Sequence, residues 1–86
     1  MRREPEFFGD TELTLIYMAR RLRDALRLEN LLTTANVDYL VETGTYTGGL
    51  LIKRELTGAF FYVHADAVGE ATRVMLENRY KPYVPD

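Results

Sequence analysis

Residues 59–64, Ala-Phe-Phe-Tyr-Val-His, carry the strongest β-strand signal of the chain. Aromatic and β-branched side chains are enriched in strands, and alternation places Phe60 and Tyr62 on one face of this segment and Phe61 and Val63 on the other. One of these aromatic faces must be core beneath helices. The other face is then left for a second role, either as a platform for RNA or as a dimer surface.

A helix is predicted to follow this strand, from Ala67 to about Arg79, with Asp66 as its N-cap. Upstream, the alternation of Thr11 to Ala19 predicts a first strand, and Arg20 to Ala35 is rich in helix-forming residues and lacks Gly and Pro. Asn36 is then the expected left-handed C-cap. Val37 to Thr43 alternates again and predicts the second strand.

The resulting order is strand, helix, strand, strand, helix. It predicts an α+β fold, the ferredoxin-like open sandwich (βαββα), in which two helices cover one face of an antiparallel sheet. Gly44 to Gly49 is expected to be a loop and Thr57-Gly58 a turn, while Leu50 to Ile52 fits either a short strand or a loop segment.

The domain is expected to span residues 11–79. Residues 1–10 are charged, contain Pro5 and Gly9 and show no periodicity, so they are predicted to be a mobile N-terminal lead-in. Residues 80–86 form a predicted extended tail, because Pro82 and Pro85 exclude a central strand. A role of this tail at the sheet edge stays open.

Composition excludes several classes of protein. The 86 residues suffice for one domain, and the absence of Cys rules out disulfides and cysteine-ligated metals. With one His, no metal site and no cofactor are expected. The 11 basic and 13 acidic residues give a net charge of -2, which argues against a nucleic-acid partner. No apolar run is long enough for a membrane span and no signal-peptide core is present, so a cytoplasmic location is expected.

Two segments resemble a small bacterial family of signal-transducing proteins of unknown function, related in fold to the PII regulators. The first, residues 24–37, is similar to the family's helix that ends in Ala-Gly-Ile, with Ala35-Asn36-Val37 at that ending. The second, residues 63–71, is similar to its later strand, acidic turn and helix. The resemblance covers about half of the chain. It implies a PII-like βαββα domain without catalytic residues and with a regulatory binding role.

The apolar face of the first predicted helix is wider than packing against one sheet requires. Leu22 and Leu26 lie well away from its inner stripe, and Glu29 projects near them. Two interpretations stay open at this point. The leucines either pack under the N-terminal tail, against Phe7 and Phe8, or form with Glu29 an interface for a homodimer or another protein partner. The inner stripe consists of Ala25, Leu28, Leu31, Leu32 and Ala35.

Four further features are candidates for binding. Arg20, Arg23 and Arg27 share one face of the predicted helix and suit a phosphate or an acidic partner, although such a row is more commonly a solvated face. Tyr46, at the tip of the predicted glycine-rich loop, is a candidate contact by analogy with PII-like regulators. The remaining candidates are the strand aromatics Phe60 and Tyr62, and His64, the one histidine of the chain.

The function predicted from these features is a non-enzymatic regulatory or interaction module that self-associates, most simply as a homodimer, and binds a protein partner or small ligand. The alternative is a single-stranded nucleic-acid-binding domain that uses Phe60, Tyr62 and the arginines, although the basic start and spacing of the RNA-binding signature are missing. An enzyme that uses His64, Tyr46 and Glu42 ranks last, because nothing links those residues in a defined geometry.

Overall fold

The computed structural model describes residues 1–48 and 54–84 and shows an α+β fold with one antiparallel sheet. The sheet has three strands in the order β1-β3-β2, so the strand that contains residues 59–64 is central. The antiparallel sheet expected from the sequence is therefore confirmed. The strands are β1 (Leu13–Ala19), β2 (Tyr39–Gly48) and β3 (Arg54–His64), and the helices are α1 (Pro5–Phe8), α2 (Leu22–Thr34) and α3 (Val68–Glu77), with a 3-10 turn at Ala65–Ala67.

The hydrophobic core lies between one face of the sheet and the helices α2 and α3. Phe61 and Val63 on β3 are fully buried, as are Leu28 and Leu32 on α2. Each of these four side chains belongs to one continuous cluster of buried residues. The same cluster includes Ile16, Ala19, Ala25, Val37, Tyr39, Ala71, Met75 and Tyr80. Residues of both helices therefore pack into one cluster with the central strand.

A β-bulge in β1 adds a residue to this core. Leu15 pairs with Tyr62 and Tyr17 pairs with Phe61, so Ile16 is an extra residue on β1. Ile16 is buried in the core cluster, and Tyr17 packs against that cluster as well. The bulge thus turns two successive side chains of an edge strand toward the helices, which alternation alone does not allow.

The hairpin formed by β2 and β3 is longer than the sequence predicts. Residues 44–48, expected as a loop, continue β2, and the predicted turn at Thr57-Gly58 is wrong because β3 runs through it. Gly44 pairs with Gly58 across the two strands, so the two turn-like residues face each other inside a ladder. Ladder hydrogen bonds outweigh the weak local preference of glycine for turns. Leu50 to Ile52 lie outside the described residues.

Both long helices end in the same left-handed motif. Asn36 has φ 63°, which confirms the predicted C-cap, and the N–H of Val37 donates to the carbonyl of Leu32 at 2.9 Å. Arg79 has φ 66° at the end of α3, where the N–H of Tyr80 donates to Met75 O at 2.8 Å. The sequence gives no sign of this second cap, because Arg rarely takes this conformation.

The N-cap predicted for the last helix is wrong. Asp66 lies inside the 3-10 turn, and α3 has Ala67 at its N-cap position without a side-chain hydrogen bond. The 3-10 turn before α3 is capped by His64, whose Nδ1 accepts a hydrogen bond from the Asp66 N–H at 3.0 Å. The imidazole nitrogen fills the acceptor role that a carboxylate or hydroxyl has at most N-caps.

Both chain ends contact the edges of the sheet. Arg2 forms a parallel bridge with Tyr39 on β2, and the N–H of Arg3 donates to Tyr39 O at 2.8 Å. On the opposite edge, the N–H of Tyr83 donates to Ile16 O at 2.7 Å. Phe8 and Tyr80, which lie beyond the limits 11–79 predicted for the domain, are buried. Among the described residues, no helix is long and apolar enough to cross a membrane.

Truncation of Leu28 to Ala tests this description of the core. Leu28 is fully buried, so Leu28→Ala is expected to lower the free energy of unfolding by about 2–5 kcal/mol. Leu76→Ala, on the exposed side of α3, is the matched control and should change it by less than about 0.5 kcal/mol. Urea unfolding followed by circular dichroism measures both, and similar losses in the two variants would contradict the assignment of α2 to the core.

Candidate functional site

Two leucines of α2 form an exposed apolar surface. Leu22 is 75% exposed and Leu26 is 56% exposed, although both lie within a regular helix. Leu26 is about 160° around the helix axis from Leu28, so it must point away from the sheet when Leu28 points toward it. We call Leu22 and Leu26 the α2 leucine surface. The N-terminal segment does not cover it, so packing under that tail against Phe7 and Phe8, one of the two interpretations left open by the sequence, is wrong.

A small apolar notch lies beside the α2 leucine surface. It has a volume of about 180 Å³ and separates the start of α2 from the base of the long hairpin. Most of its walls consist of alanine, glycine and threonine. Because these side chains are small, they leave a space that a side chain of another molecule can enter. The lining residues are Ala19, Arg20, Arg21, Leu22, Ala25, Thr43, Thr57, Gly58 and Ala59.

Glu29, the third predicted interface residue, is engaged inside the protein. The hydroxyl of Tyr39 lies 3.2 Å from Glu29 O and 3.3 Å from Glu29 Oε1, and Thr33 Oγ1 is 3.2 Å away. Arg2 Nη1 lies 3.6 Å from the same carboxylate. Glu29 therefore ties α2 to β2 and to the N-terminal segment, and does not belong to the α2 leucine surface.

These contacts alter the titration of Tyr39. Burial raises the pKa of the Tyr39 hydroxyl, and the nearby Glu29 carboxylate raises it further, against an opposing effect of the Thr33 hydroxyl and Arg2. The protonated phenol is therefore favoured in the folded state.

The three arginines predicted to form one row are separated in the structure. Arg20 precedes α2 instead of lying on it. Arg27 Nη1 donates to Asn78 O at 3.2 Å, and its guanidinium lies 5.1 Å from the centre of the Tyr80 ring. Arg23 Nε is 3.9 Å from Asp24 Oδ1. The predicted row of three is therefore wrong, because α2 begins two residues later than expected and leaves Arg20 off the helix. Arg23 and Arg27, four residues apart on α2, still share a face.

The sheet face opposite the helices carries Phe60 and Tyr62, as alternation predicts. Tyr62 pairs with Leu15 and Leu40, and Phe60 pairs with Met18 and Glu42. Both aromatic side chains are only half-exposed. Arg23 and Arg27 lie in the helix layer on the other side of the sheet. The structure therefore does not combine these two arginines with the aromatics into one nucleic-acid surface.

His64 borders a hollow of about 400 Å³ that the sequence does not indicate. Residues from three distant stretches of the chain, 7–11, 35–38 and 64–70, meet there, so no local sequence pattern indicates it. Two of its acidic residues are already paired: Asp38 with Arg3 Nε at 2.9 Å, and Glu70 with Arg73 Nε at 3.1 Å. The hollow is lined by Phe7, Phe8, Thr11, Ala35, Asn36, Val37, Asp38, His64, Ala67 and Glu70.

This hollow contains no arrangement typical of catalysis. The imidazole of His64 uses Nδ1 to cap the 3-10 turn, and no Ser or Cys lines the hollow. Tyr46, another polar candidate, lies within β2 opposite Leu56 rather than at a loop tip, so its predicted position is wrong. In the described part of the chain, no group of three or more His, Cys, Asp or Glu residues is arranged to hold a metal ion.

Comparison with known proteins gives no relative. No protein-family model matches the chain, and no curated protein and no solved structure is significantly similar to it. The site must therefore be interpreted from its own geometry.

Tyr39→Phe tests the contact between β2 and α2. Loss of the hydroxyl should lower the free energy of unfolding by about 0.5–1.5 kcal/mol near neutral pH. Because the pKa of Tyr39 is raised on folding, its contribution is complete below the ordinary tyrosine pKa of about 10 and is lost as the pH rises through the folded pKa. The wild type should thus lose stability more steeply above about pH 10 than Tyr39→Phe. Urea unfolding at a series of alkaline pH values measures this, and equal slopes would contradict it.

Proposed function

We propose that the chain is a non-enzymatic regulatory or interaction module that forms a homodimer through the α2 leucine surface. The observation that carries this proposal is the exposure of Leu22 and Leu26, 75% and 56%, in the first two turns of an amphipathic helix. Exposed apolar side chains that are contiguous on one helix face mark a surface that another molecule covers. A domain of this size also buries only a modest share of its surface, so a partner adds stability.

The helix is a better interface than the open face of the sheet. On that sheet face Leu40 is buried and Tyr62 is half-buried, so little apolar area is left. Among the residues of that face whose side chains the structure describes, Met18 is the most exposed apolar one, at 38%, well below both leucines of α2. The larger gain in apolar burial therefore comes from covering α2.

A second copy of the chain fits this surface because it offers a projection and a recess side by side. In a two-fold interface the same patch is used twice, so each copy must contain both halves of the contact. Here Leu26 is the projection and the notch of about 180 Å³ lined by Ala25 and Ala59 is the recess. A two-fold arrangement places Leu26 of one copy in the notch of the other, and the reciprocal contact forms at the same time.

Charge at the rim gives this dimer a defined salt dependence. Arg21 and Arg23 are exposed beside the α2 leucine surface, and a two-fold axis brings the arginines of both copies together. Like charges repel, and salt screens exposed charges. Added salt should therefore strengthen the association.

The finer fold assignment is part of the same proposal. We assign the chain to the ferredoxin-like open sandwich, supported by the order β1-α2-β2-β3-α3 and by two helices on one sheet face. The resemblance of residues 24–37 and 63–71 to signal-transducing bacterial proteins supports a regulatory role in the cytoplasm. The hollow beside His64 provides space for a small regulatory ligand.

Light scattering across a concentration range, with absolute mass as the readout, tests the proposal. The wild type should approach twice the chain mass as the concentration rises, and more readily at high salt. Leu26→Glu should remain at the monomer mass, because a carboxylate cannot enter the apolar notch without losing its hydration.

The matched control is Leu76→Glu, which places the same charge at an equally exposed leucine of α3. It should dimerise like the wild type. Circular dichroism of both variants checks that each is folded. A monomeric wild type, or equal loss of dimer in both variants, would overturn the proposed interface.

A further inference from the structure

A second hollow lies between the C-terminal tail and the edge of β1, apart from the α2 leucine surface. It has a volume of about 510 Å³, which is in the range of small-molecule sites. The hydrogen bond from the Tyr83 N–H to Ile16 O, 2.7 Å long, holds the tail alongside β1 and forms the outer wall. The lining residues are Tyr17, Met18, Arg20, Lys81, Pro82, Tyr83 and Val84. We call this hollow the tail groove.

The tail groove is cationic although the chain carries a net charge of -2. Arg20 and Lys81 both line it, and none of the described lining residues is acidic. Burial raises the pKa of Tyr17 on the groove wall, and the charge of Asp24 on α2 raises it further. The carboxylate of Asp24 lies 3.9 Å from Arg23 Nε, outside the groove. Two cations on a concave surface favour an anionic ligand.

The rest of the groove is suited to an aromatic ring. Tyr83 is 39% exposed and the thioether of Met18 also reaches solvent, so both can cover a flat apolar ligand. Tyr17 is held in place by its edge-on contact with Tyr80, with ring centres 5.1 Å apart. Pro82 stiffens the wall on the tail side. Aromatic and methionine side chains both make favourable contacts with ring edges and faces.

We infer that the tail groove binds a small aromatic anion, with its phosphate or carboxylate at Arg20 and Lys81 and its ring against Tyr83 and Met18. Arg20 follows β1 and Lys81 belongs to the C-terminal tail. The ligand would therefore connect β1 to the tail, in addition to the hydrogen bond from the Tyr83 N–H to Ile16 O. Binding at this groove does not require the dimer, because neither Leu22 nor Leu26 lines the groove. Among the described lining residues, the groove shares Arg20 alone with the notch.

Phenyl phosphate is the probe that tests this inference, added to the full chain while ¹H–¹⁵N amide shifts are recorded. Dissociation constants of about 1–10 mM are expected for a ligand of this size. Shifts should be concentrated in residues 17–20 and in Lys81, Tyr83 and Val84, since Pro82 has no amide proton. Inorganic phosphate and benzyl alcohol, each carrying half of the chemistry, should bind at least about tenfold more weakly.

Variants that each remove one positive charge test the role of the two cations in the groove. Arg20→Gln and Lys81→Gln should each weaken phenyl phosphate binding at least about fivefold, because each removes one charge-assisted contact. Arg23→Gln, on α2 outside the groove, should leave it unchanged. Lys81→Gln, at an exposed tail position, tests the site independently of any effect of Arg20→Gln on folding.

Each contrary result is decisive. Equal affinity for inorganic phosphate and phenyl phosphate would overturn the aromatic part of the inference. If Arg23→Gln and Lys81→Gln weakened binding equally, the binding would be explained by general charge attraction and not by the tail groove. Absence of shifts in residues 81–84 would exclude the tail groove, and a tight dimer together with that absence would leave the proposed function intact.

Discussion

The contact on which the rest of the structure depends is the stack of Tyr39 on Phe61, with ring centres 5.9 Å apart and planes at 27°. Both side chains are buried, and the stack joins β2 to the central strand. The hydroxyl of Tyr39 then reaches Glu29 and Thr33 on α2. A buried phenol without such a partner costs about 1–3 kcal/mol, so this contact sets both the position and the rotation of α2.

The rotation of α2 determines which surface is left for binding. Once Glu29 is fixed over Tyr39 and Leu28 points into the core, helical geometry turns Leu26 to the outside. The exposed leucines are therefore a consequence of core packing and not an accident of a loose helix. The same packing leaves the notch beside Ala25, because small residues at the start of α2 meet a hairpin that extends past β1. The core, the projecting Leu26 and the notch therefore all follow from the packing of α2 on the sheet.

The sequence predicts most of the regular structure, because alternation and helical periodicity report directly on burial. It predicts the strand at residues 59–64, the inner stripe of α2 and the left-handed Asn36, but the first strand, apolar on both faces as expected of a central strand, lies at the sheet edge. It fails where tertiary contacts outweigh local preference: Gly44 and Gly58 are typical of turns but pair with each other in the sheet. Asp66, expected to cap the last helix, lies instead inside a 3-10 turn that His64 caps. The sequence does not predict the tail groove or the hollow beside His64, since each is formed by segments distant in the chain.

The proposed interface makes a prediction at the level of single methyl groups. Isotope-filtered nuclear Overhauser measurements on a mixture of labelled and unlabelled chains detect contacts between copies only. The account predicts cross-peaks from the Leu26 methyl groups of one copy to the Ala25 and Ala59 methyl groups of the other, since both alanines line the notch. A dimer that shows no intermolecular contacts from Leu26, with its cross-peaks at Phe60 and Tyr62 instead, would contradict the account and assign the interface to the open sheet face.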